Sequence, residues 1–338
     1  MSLLPFEKVH REILVKREAE TDPAQGCYPD KRPIPDLIQQ GILVLNKPKG
    51  PSSHQCSDFV QNILGLDKAG HGGTLDPAVT GVLPIALGNA TRIVQALLPA
   101  GKEYVGIMHL HKDVPEDQVR TECQKFVGRI LQMVPRKAAV KRQERERTIY
   151  YFDIIEIKDK DVLFVAGVEA GTYIRKLCHD MGRIIGCGGH MAELIRTKAG
   201  PFKHTNWVTL QELEDAIWYY KNEAKEDLLR KYIVPVEVGC QHLAKIWVMD
   251  STVASLCNGA PLHLPGVAKI DSGIEPRMVV AIMSLKGELV ALAIAALTSE
   301  QMMHEQKGVA ARPHKVFMKA GMYKTEYKIE PETVNKWS

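Results

Sequence analysis

The chain has 338 residues, 45% of them hydrophobic, which suits two domains that each bury a core of their own. Its net charge of +4 at pH 7 permits binding to nucleic acid but does not require it. Seven cysteines at scattered positions, with no C-x-x-C pair among them, argue against a disulfide framework and against a zinc ribbon.

The first 35 residues form a polar, proline-containing arm. Charged residues interrupt its short apolar groups, so it lacks the continuous apolar core of a secretory signal, and we expect an intracellular protein. The apolar run at 41–46 then predicts a buried strand, and Ser52 or Ser53 is placed to cap the helix that follows. The expected apolar face of that helix carries Phe59, Val60, Ile63 and Leu64.

A glycine-rich loop at 70–77 follows this helix and contains a single carboxylate, Asp76. A buried helix would not tolerate so many glycines, so the segment is predicted to be a loop between two ordered elements. An isolated carboxylate in such a loop is a candidate for chemistry.

Helices and strands are predicted to alternate after the loop. Helical spacing at 90–98 and 115–127 is interleaved with strand-like runs at 104–110, 149–157 and 162–168. Thr172 is placed to cap a helix over 173–185, which the glycine at 186 would end. This alternation predicts an α+β body.

A basic segment, residues 136–147, precedes the strand at 149–157. It begins with Arg136, Lys137, Lys141 and Arg142, and contains only two glutamates. On composition alone, a solvated charged face and a strip that contacts RNA phosphates are about equally favoured.

One group of residues imitates a metal site. Histidine and cysteine recur within thirteen positions at Cys178, His179, Cys187 and His190. We favour the simpler interpretation, in which the cysteines are thiols on a helix and in a glycine turn.

The pattern changes near residue 245, after which short strands and glycine turns replace helices up to about residue 327. We place the domain boundary at 240–250. The most apolar window, residues 279–297, imitates a membrane span. Because Lys286, Gly287 and Glu288 interrupt it, the window predicts a hairpin of two buried strands instead.

The loop at 70–77 and its continuation to residue 84 resemble the signature of the TruB-type pseudouridine synthases. The runs at 101–104 and 171–177 are similar to two further motifs of that family. The resemblance implies that Asp76 is the nucleophile, that Arg175 pairs with it, and that Tyr104 stacks on the target base. Arginine suits this position because it stays charged in a dry pocket and offers a planar, bidentate fork.

The same resemblance implies four supporting residues. His71 would lie close to the target nucleotide, and Leu194 would form a wall of the pocket. Arg196 would support the loops, and Lys47 would buttress the site from behind. Considered without the family, His71 is explained about as well as a turn histidine bonded to backbone.

Within the family, the runs at 69–73, 98–104 and 167–173 resemble the archaeal and eukaryotic, dyskerin-like branch, which supplies catalytic subunits of box H/ACA RNA-guided particles. This implies a synthase domain at 36–245, with a mixed central sheet and flanking helices. A C-terminal β-barrel PUA domain would follow at 246–327, and a tail at 328–338. The N-terminal arm, residues 1–35, would pack on the PUA domain. The implied RNA contacts are Gly259, Ala260, Pro265 and Gly266, together with Arg136, Lys137, Lys141 and Arg142. Arg277 and Met278 stand where a glycine-acidic turn is typical.

The implied partners are a box H/ACA guide RNA, an rRNA or tRNA substrate, Nop-type and Gar-type small proteins, and a kink-turn-binding ribosomal-type protein. A lysine-rich tail is not seen, which favours an archaeal, cytoplasmic protein over a nucleolar one. No phosphate loop, metal triad or dinucleotide fingerprint competes with this set, so we expect no cofactor and no metal.

The reaction implied by the family breaks the bond from ribose to uracil N1 and rejoins the base through C5. The carboxylate either adds to uracil C6 or abstracts a ribose proton to form a glycal, and the sequence does not choose between these routes. Two other functions remain open: a noncatalytic RNA-binding scaffold, and a tRNA modifier that needs no guide.

Overall fold

The computed structural model describes residues 2–134, 141 and 143–324. Three residues of the basic segment, Arg136, Lys137 and Arg142, lie outside this range, as does the tail predicted at 328–338. Lys141 is described and is exposed.

Seventeen strands and nine α-helices are formed by the described residues. The strands are β1 (Ile13–Val15), β2 (Gly41–Lys47), β3 (Ala69–His71), β4 (Thr80–Leu87), β5 (Lys102–Leu110), β6 (Gly128–Met133), β7 (Glu144–Lys158), β8 (Asp161–Val168), β9 (Gly189–Ala199), β10 (Phe202–Lys203), β11 (Ile233–Pro235), β12 (Ala244–Val248), β13 (Leu262–His263), β14 (Val267–Asp271), β15 (Val279–Ser284), β16 (Leu289–Ala295) and β17 (Val309–Val316). The helices are α1 (Ile34–Gln40), α2 (Ser53–Leu64), α3 (Val94–Leu97), α4 (Glu116–Gln124), α5 (Ile174–Ile185), α6 (Leu210–Glu223), α7 (Asp227–Tyr232), α8 (Asp250–Cys257) and α9 (Ser299–His304). The predicted α+β class is confirmed.

These elements divide into two compact units. The large unit contains residues 2–10 and 32–242, and the small unit contains residues 11–31 and 243–324. The stretch predicted as a single arm, 1–35, is therefore divided between them. Its first residues belong to the large unit because Leu4 is fully buried there and Glu7 forms ion pairs with Lys198 and Lys203.

One mixed sheet of ten strands organises the large unit. Eight strands follow the order β11-β2-β4-β9-β5-β8-β7-β6, with β10 beside β9 and β3 beside β4. Strands β4 and β9 run parallel and pair Gly81 with Arg196, whereas β9 and β5 run antiparallel and pair Arg196 with Tyr104. Because β4 directly follows the Asp76 loop, this order brings the loop beside the two central strands.

Helix α2 begins with the predicted cap. The Ser52 side chain accepts a hydrogen bond from the amide of Gln55, and the helix ends at Gly65 in the left-handed conformation. The expected apolar face is partly wrong, because Phe59 is 43% exposed. Val60 is buried as expected, and Cys56, one turn before it, takes an inward position in place of Phe59.

Two other helices differ from their predicted bounds. The segment predicted as a helix over 90–98 is a 3-10 turn, Gly88–Ile93, followed by the single turn of α3. The Thr91 hydroxyl donates to the Gly88 carbonyl there, which competes with a regular helical ladder. Helix α5 begins one residue late, because the Thr172 hydroxyl donates to the Glu169 carbonyl and Tyr173 becomes the N-cap.

Cys178 lies on α5 and Cys187 lies in the glycine turn that follows it, as the simpler interpretation places them. Cys178 is fully buried on the inward face of α5, and burial raises the pKa of its thiol. Across the described ranges, no three His, Cys, Asp or Glu side chains form a group that could hold a metal ion.

The small unit is built on a seven-stranded sheet with the order β1-β14-β12-β15-β16-β17-β13. Strands β15 and β16 form the predicted hairpin, with Lys286 and Glu288 at its turn. None of the helices in the described residues has the length and apolar content needed to cross a membrane. Arg277 precedes this hairpin at φ +74°, the left-handed region in which the typical glycine would carry no strain.

The hairpin turn also holds the N-terminal residues of the small unit. Lys286 donates to the carbonyls of Asp22, Pro23 and Gln25, and Glu288 accepts from the amide of Cys27. Strand β1 pairs antiparallel with β14. The charged residues that interrupt the apolar window therefore anchor residues 11–31.

Candidate active site

The Asp76 loop, residues 72–79, joins β3 to β4 and is tied down at several points. The amide of Val79 donates to the carbonyl of Asp76, which closes a tight turn around the carboxylate. The buried hydroxyl of Ser53, at the start of α2, accepts from the Leu75 amide at 2.8 Å. Leu75 is 4% exposed and packs in the core of the large unit. The residue before Asp76 is therefore fixed by both packing and hydrogen bonding.

The Asp76 carboxylate forms an ion pair with the guanidinium of Arg175. Arg175 occupies the first turn of α5, whose opposite face buries Ile174 and Leu177 in the same core that holds Leu75. Both partners remain about half exposed, at 51% for the Asp76 side chain and 58% for that of Arg175. The pair therefore lies at the surface of the free protein, with its open side available to a ligand.

Arg196 is buried directly beneath the first half of the loop, with 1% of its surface exposed. Its Nε donates to the Val82 carbonyl at 2.8 Å, and its terminal nitrogens donate to the carbonyls of Gly73 at 3.0 Å and Thr74 at 3.4 Å. Burial lowers the pKa of Arg196, while the electrostatic influence of the neighbouring Tyr104 acts in the opposite direction. Arginine keeps its charge even so, because its ordinary pKa is so high.

Lys47 supports the second half of the loop in the same way. It lies at the end of β2 with no exposed surface, and its ammonium donates to the carbonyls of Pro48 at 2.8 Å, Val79 at 3.0 Å and Pro77 at 3.3 Å. Burial lowers the pKa of Lys47. Asp76 thus sits in a loop held on one side by Arg196 and on the other by Lys47.

Tyr104 reaches this site from β5. It is 9% exposed, packs in the core with Leu75 and Leu194, and lies opposite Arg196 on the neighbouring strand β9. Leu194 is 8% exposed and pairs with Gly106 across β9 and β5. The predicted wall residue and the predicted aromatic residue are therefore neighbours under the loop.

Lys102 belongs to the run at 101–104, but nothing in the sequence distinguishes it as a site residue. It is 5% exposed and donates to the carbonyls of Leu97, Leu98 and Ala100, at 3.2, 2.6 and 2.6 Å. Burial, with the nearby charge of Arg196, lowers the pKa of Lys102 to about 7. Its position two residues before Tyr104 was the available signal, but nothing local indicated that its ammonium turns inward.

His71 lies at the end of β3, just before the loop, and its ring nitrogens are buried. Burial is the main cause that lowers the pKa of His71 to about 4, with smaller contributions from the charges of His54 and Arg196. The imidazole is therefore neutral at physiological pH. The alternative interpretation of His71, a turn histidine hydrogen-bonded to backbone, does not hold among the described residues, because neither ring nitrogen has a hydrogen-bond partner there.

The predicted RNA-binding residues of the C-terminal domain lie in the small unit. Gly259 and Ala260 follow α8, and their amides donate to the carbonyls of Leu256 and Ser255, which ends the helix. Pro265 and Gly266 form a 3-10 turn before β14. A Cβ on Gly266 would lie 2.4 Å from the Thr252 hydroxyl oxygen, so this glycine is needed for close packing.

The large unit therefore gathers Asp76, Arg175, Tyr104, Arg196 and Lys47 around one loop, with His71 beside it. The arrangement offers an ionisable nucleophile, a neighbouring cation, an aromatic side chain and a rigid frame. It fits chemistry in which a carboxylate attacks or deprotonates a ligand that covers the open side of the ion pair.

Four family profiles match the chain along its length. The TruB family pseudouridylate synthase N-terminal domain matches residues 61–174, and the tRNA pseudouridylate synthase B C-terminal domain matches residues 175–241. The PUA domain matches residues 244–317, and the DKCLD (NUC011) domain matches residues 2–57. Together these profiles span both units.

Whole-chain relatives agree with the profiles. The chain is 51% identical over 320 residues to the probable tRNA pseudouridine synthase B of Methanopyrus kandleri, covering 95% of this chain and 94% of that protein. It is 52% identical over 323 residues to the protein of the same name from Pyrococcus abyssi, covering 95% and 96%.

Solved structures extend this similarity to the fold. A chain of a Cbf5-Nop10-Gar1 complex superposes with a TM-score of 0.91 at 51% identity, covering 95% of this chain and 98% of that one. A chain of an H/ACA RNP bound to a substrate RNA containing 2'-deoxyuridine also gives 0.91, at 49% identity, covering 96% and 99%. The chain belongs to the TruB family of pseudouridylate synthases and carries a PUA domain.

Proposed function

We propose that this pseudouridylate synthase uses Asp76 as its nucleophile and modifies uridines that a box H/ACA guide RNA selects. The observation that carries the proposal is the Asp76–Arg175 ion pair, because the loop that bears it is braced by two buried cations. A carboxylate held this rigidly loses little further freedom when a base arrives, which is the main requirement for efficient attack.

The reaction is an isomerisation and needs no outside reagent. The bond between ribose C1′ and uracil N1 breaks, the base turns, and a new bond forms between C1′ and C5. The proton on C5 leaves to solvent and N1 regains one. Asp76 mediates the exchange either by adding to C6 or by taking a ribose proton, and its ionised form is required for both.

Arg175 keeps Asp76 ionised when RNA covers the site. The pair is half exposed in the free protein, so water stabilises both charges there. A flipped nucleotide would remove that water, and a carboxylate without a partner would then drift towards its neutral form. Tyr104 supplies an aromatic face for the flipped base, whose lost stacking costs on the order of a few kcal/mol.

The supporting roles follow from the contacts around the loop. Arg196 and Lys47 hold its two halves, Leu194 lines the pocket beside Tyr104, and His71 faces the target nucleotide. Gly259, Ala260, Pro265 and Gly266 of the small unit contact the guide RNA, and the basic segment contacts phosphates, with Lys141 as its exposed, described member.

Guide dependence is supported by the two structures described above, which are an H/ACA RNP and a Cbf5-Nop10-Gar1 complex. We accordingly expect a guide RNA, an rRNA or tRNA substrate, Nop10-type and Gar1-type proteins and a kink-turn-binding protein as partners, in the cytoplasm of an archaeal cell. Base pairing with the guide would then choose the target uridine.

Guide-independent modification of tRNA is the second candidate. It is favoured by the relatives from Methanopyrus kandleri and Pyrococcus abyssi, which are called probable tRNA pseudouridine synthases B. A noncatalytic scaffold is disfavoured, because such a protein would not need to retain the braced carboxylate and its arginine together.

The test is tritium release from RNA labelled at uracil C5, measured for a guided substrate and for a tRNA stem-loop, with and without guide RNA and partner proteins. Release that requires the guide supports the proposal, release from tRNA without it supports the second candidate, and no release supports the scaffold. Asp76→Asn should abolish release while RNA affinity stays within about twofold, since only the reacting group changes.

The matched control is Asp67→Asn, which alters another exposed carboxylate of the large unit. This variant should release tritium at the wild-type rate. Turnover that persists in Asp76→Asn would refute the assignment of the nucleophile, whatever the guide requirement turns out to be.

A further inference from the structure

The imidazole of His71 is an unusual group for the edge of an active-site loop. Its ring nitrogens are buried, and neither has a hydrogen-bond partner in the described part of the chain. Buried polar groups in proteins are nearly always paired, and the exceptions call for a functional explanation. Among the described residues, packing and not hydrogen bonding holds this ring in place.

The contact that does so comes from His54. The rings of His54 and His71 pack in a T-shaped arrangement with their centroids 4.8 Å apart and their planes at 71°. This is the preferred geometry for two aromatic rings, in which the edge of one meets the face of the other. His54 itself is exposed and makes no other ring contact among the described residues.

His54 stands on a rigid base. It directly follows Ser53, which is bound to the Asp76 loop. The Ser53 hydroxyl accepts a hydrogen bond from the Leu75 amide and donates one to the Leu75 carbonyl. Ser52 caps the same helix turn. The first turn of α2 thus touches the loop twice, at Leu75 through Ser53 and at His71 through His54, on the two sides of the glycines at 72 and 73.

We propose that His54 is a positioning residue of the active site, whose ring holds the unpaired imidazole of His71 in place beside the Asp76 loop. The inference rests on the proposed function only in that it assigns His71 to the side of the target nucleotide. Glycines at 72 and 73 give the loop backbone freedom, and Gly73 has φ +139°. The contact of His54 with His71, before these glycines, adds to that of Ser53 with Leu75, after them, and so restricts that freedom.

Three variants test the proposal: His54→Ala, His54→Phe and Asp58→Ala. The first removes the ring, the second keeps an aromatic ring without nitrogens, and the third changes an exposed side chain one turn further along α2. We expect His54→Ala to slow single-turnover tritium release by about 10- to 100-fold, as small misplacements in active sites do. RNA affinity should change by less than about twofold, and both other variants should react within about threefold of wild type.

A spectroscopic measurement separates positioning from general damage to the fold. Nitrogen-15 shifts of the His71 ring report its protonation, which burial, His54 and Arg196 govern. In His54→Ala the ring should titrate at a higher pH than in wild type, and in His54→Phe it should stay neutral through the physiological range.

Equal rates for His54→Ala and wild type would overturn the proposal, as would equal slowing by His54→Ala and His54→Phe. An unchanged His71 titration in His54→Ala would also overturn it. This last measurement needs no turnover, so it distinguishes a failure of the His54 assignment from a failure of the proposed function, which would show as an inactive wild-type protein.

Discussion

Glu7 offers the sharpest test of how the N-terminal residues support the large unit. Its carboxylate lies 3.2 Å from the ammonium of Lys198, which also lies 3.1 Å from Glu103, the neighbour of Tyr104 on β5. Glu103 in turn accepts from the hydroxyls of Tyr151 and Thr197. One cation thus neutralises two largely buried carboxylates, and one of them comes from the start of the chain.

The two ends of this network predict unequal costs. Glu7→Gln keeps an acceptor for the Leu4 amide and leaves Lys198 paired with Glu103, so it removes charge-assisted hydrogen bonds worth about 1.5–3 kcal/mol. Lys203 adds little, because it is 50% exposed. Lys198→Met leaves the Glu103 carboxylate buried without its cation and leaves Glu7 with only the half-exposed Lys203, for which about 3–5 kcal/mol is expected.

Calorimetry of the full-length protein measures these costs through the unfolding transition of the large unit. A domain of this size loses about 2–4 °C of Tm per kcal/mol, so Glu7→Gln should lower Tm by roughly 3–12 °C and Lys198→Met by more. The double variant should cost less than the sum, since both changes act on one network. Glu214→Gln, an exposed change on α6, is the control.

The pH dependence gives an independent check. Burial raises the pKa of Glu7, but hydrogen bonds from the Leu4 amide, Lys198 and Lys203 outweigh it, so the pKa lies below its ordinary value of 4.5. A lowered folded-state pKa stabilises the protein fully above that ordinary value, and the contribution is lost as the pH falls through the folded-state pKa. The difference between wild type and Glu7→Gln should therefore shrink below about pH 4.5. Equal Tm values for Glu7→Gln and Glu214→Gln at pH 7 would refute this role.

Two further predictions concern the frame of the site. Gly81→Ala should destabilise the large unit and stop turnover, because its Cβ would lie 2.3 Å from the Arg196 carbonyl oxygen and its φ is +105°. The control is Gly65→Ala, at φ +65° in open space, which should cost only about 1–2 kcal/mol and leave turnover intact. Equal losses of unfolding free energy in the two variants, measured by denaturant unfolding, would contradict the clash. Lys102, whose pKa is lowered by burial to about 7, stays protonated in the unfolded chain up to about pH 10. Between about pH 7 and pH 10, the unfolded chain therefore holds a proton on Lys102 that the folded protein lacks, so the free energy of unfolding should rise with pH. If this free energy has the same pH slope in Lys102→Met as in wild type, Lys102 is not the cause of the rise.

Local signals in the sequence predicted most of the elements. The Ser52 cap, the glycine that ends α5 and the charged turn inside the apolar window of 279–297 each act within a few residues, and each forms as expected. The errors are also local. Thr172 and Phe59 were assigned from spacing, but the Thr172 hydroxyl binds the Glu169 carbonyl, and Cys56 rather than Phe59 lies on the buried face of α2.

The candidate site divides in the same way. Asp76, Arg175 and Tyr104 were singled out because they stand in motifs of unusual composition that resemble one family. Ser53 was seen only as a possible cap, although its hydroxyl binds both the amide and the carbonyl of Leu75, and Lys102 was not singled out. Both act through partners that the sequence does not place beside them.

By itself, then, the sequence determined the α+β class, the position of the Asp76 loop and the residues that carry the family resemblance, because glycines, caps and hydrophobic periodicity constrain the backbone over short distances. Only the tertiary structure decided that Arg196 and Lys47 brace the two halves of that loop, that Glu7 joins the large unit while residues 11–31 join the small one, and that His54 packs on His71. Contacts between residues as far apart as 7 and 198 depend on strand order and burial, which no local pattern encodes.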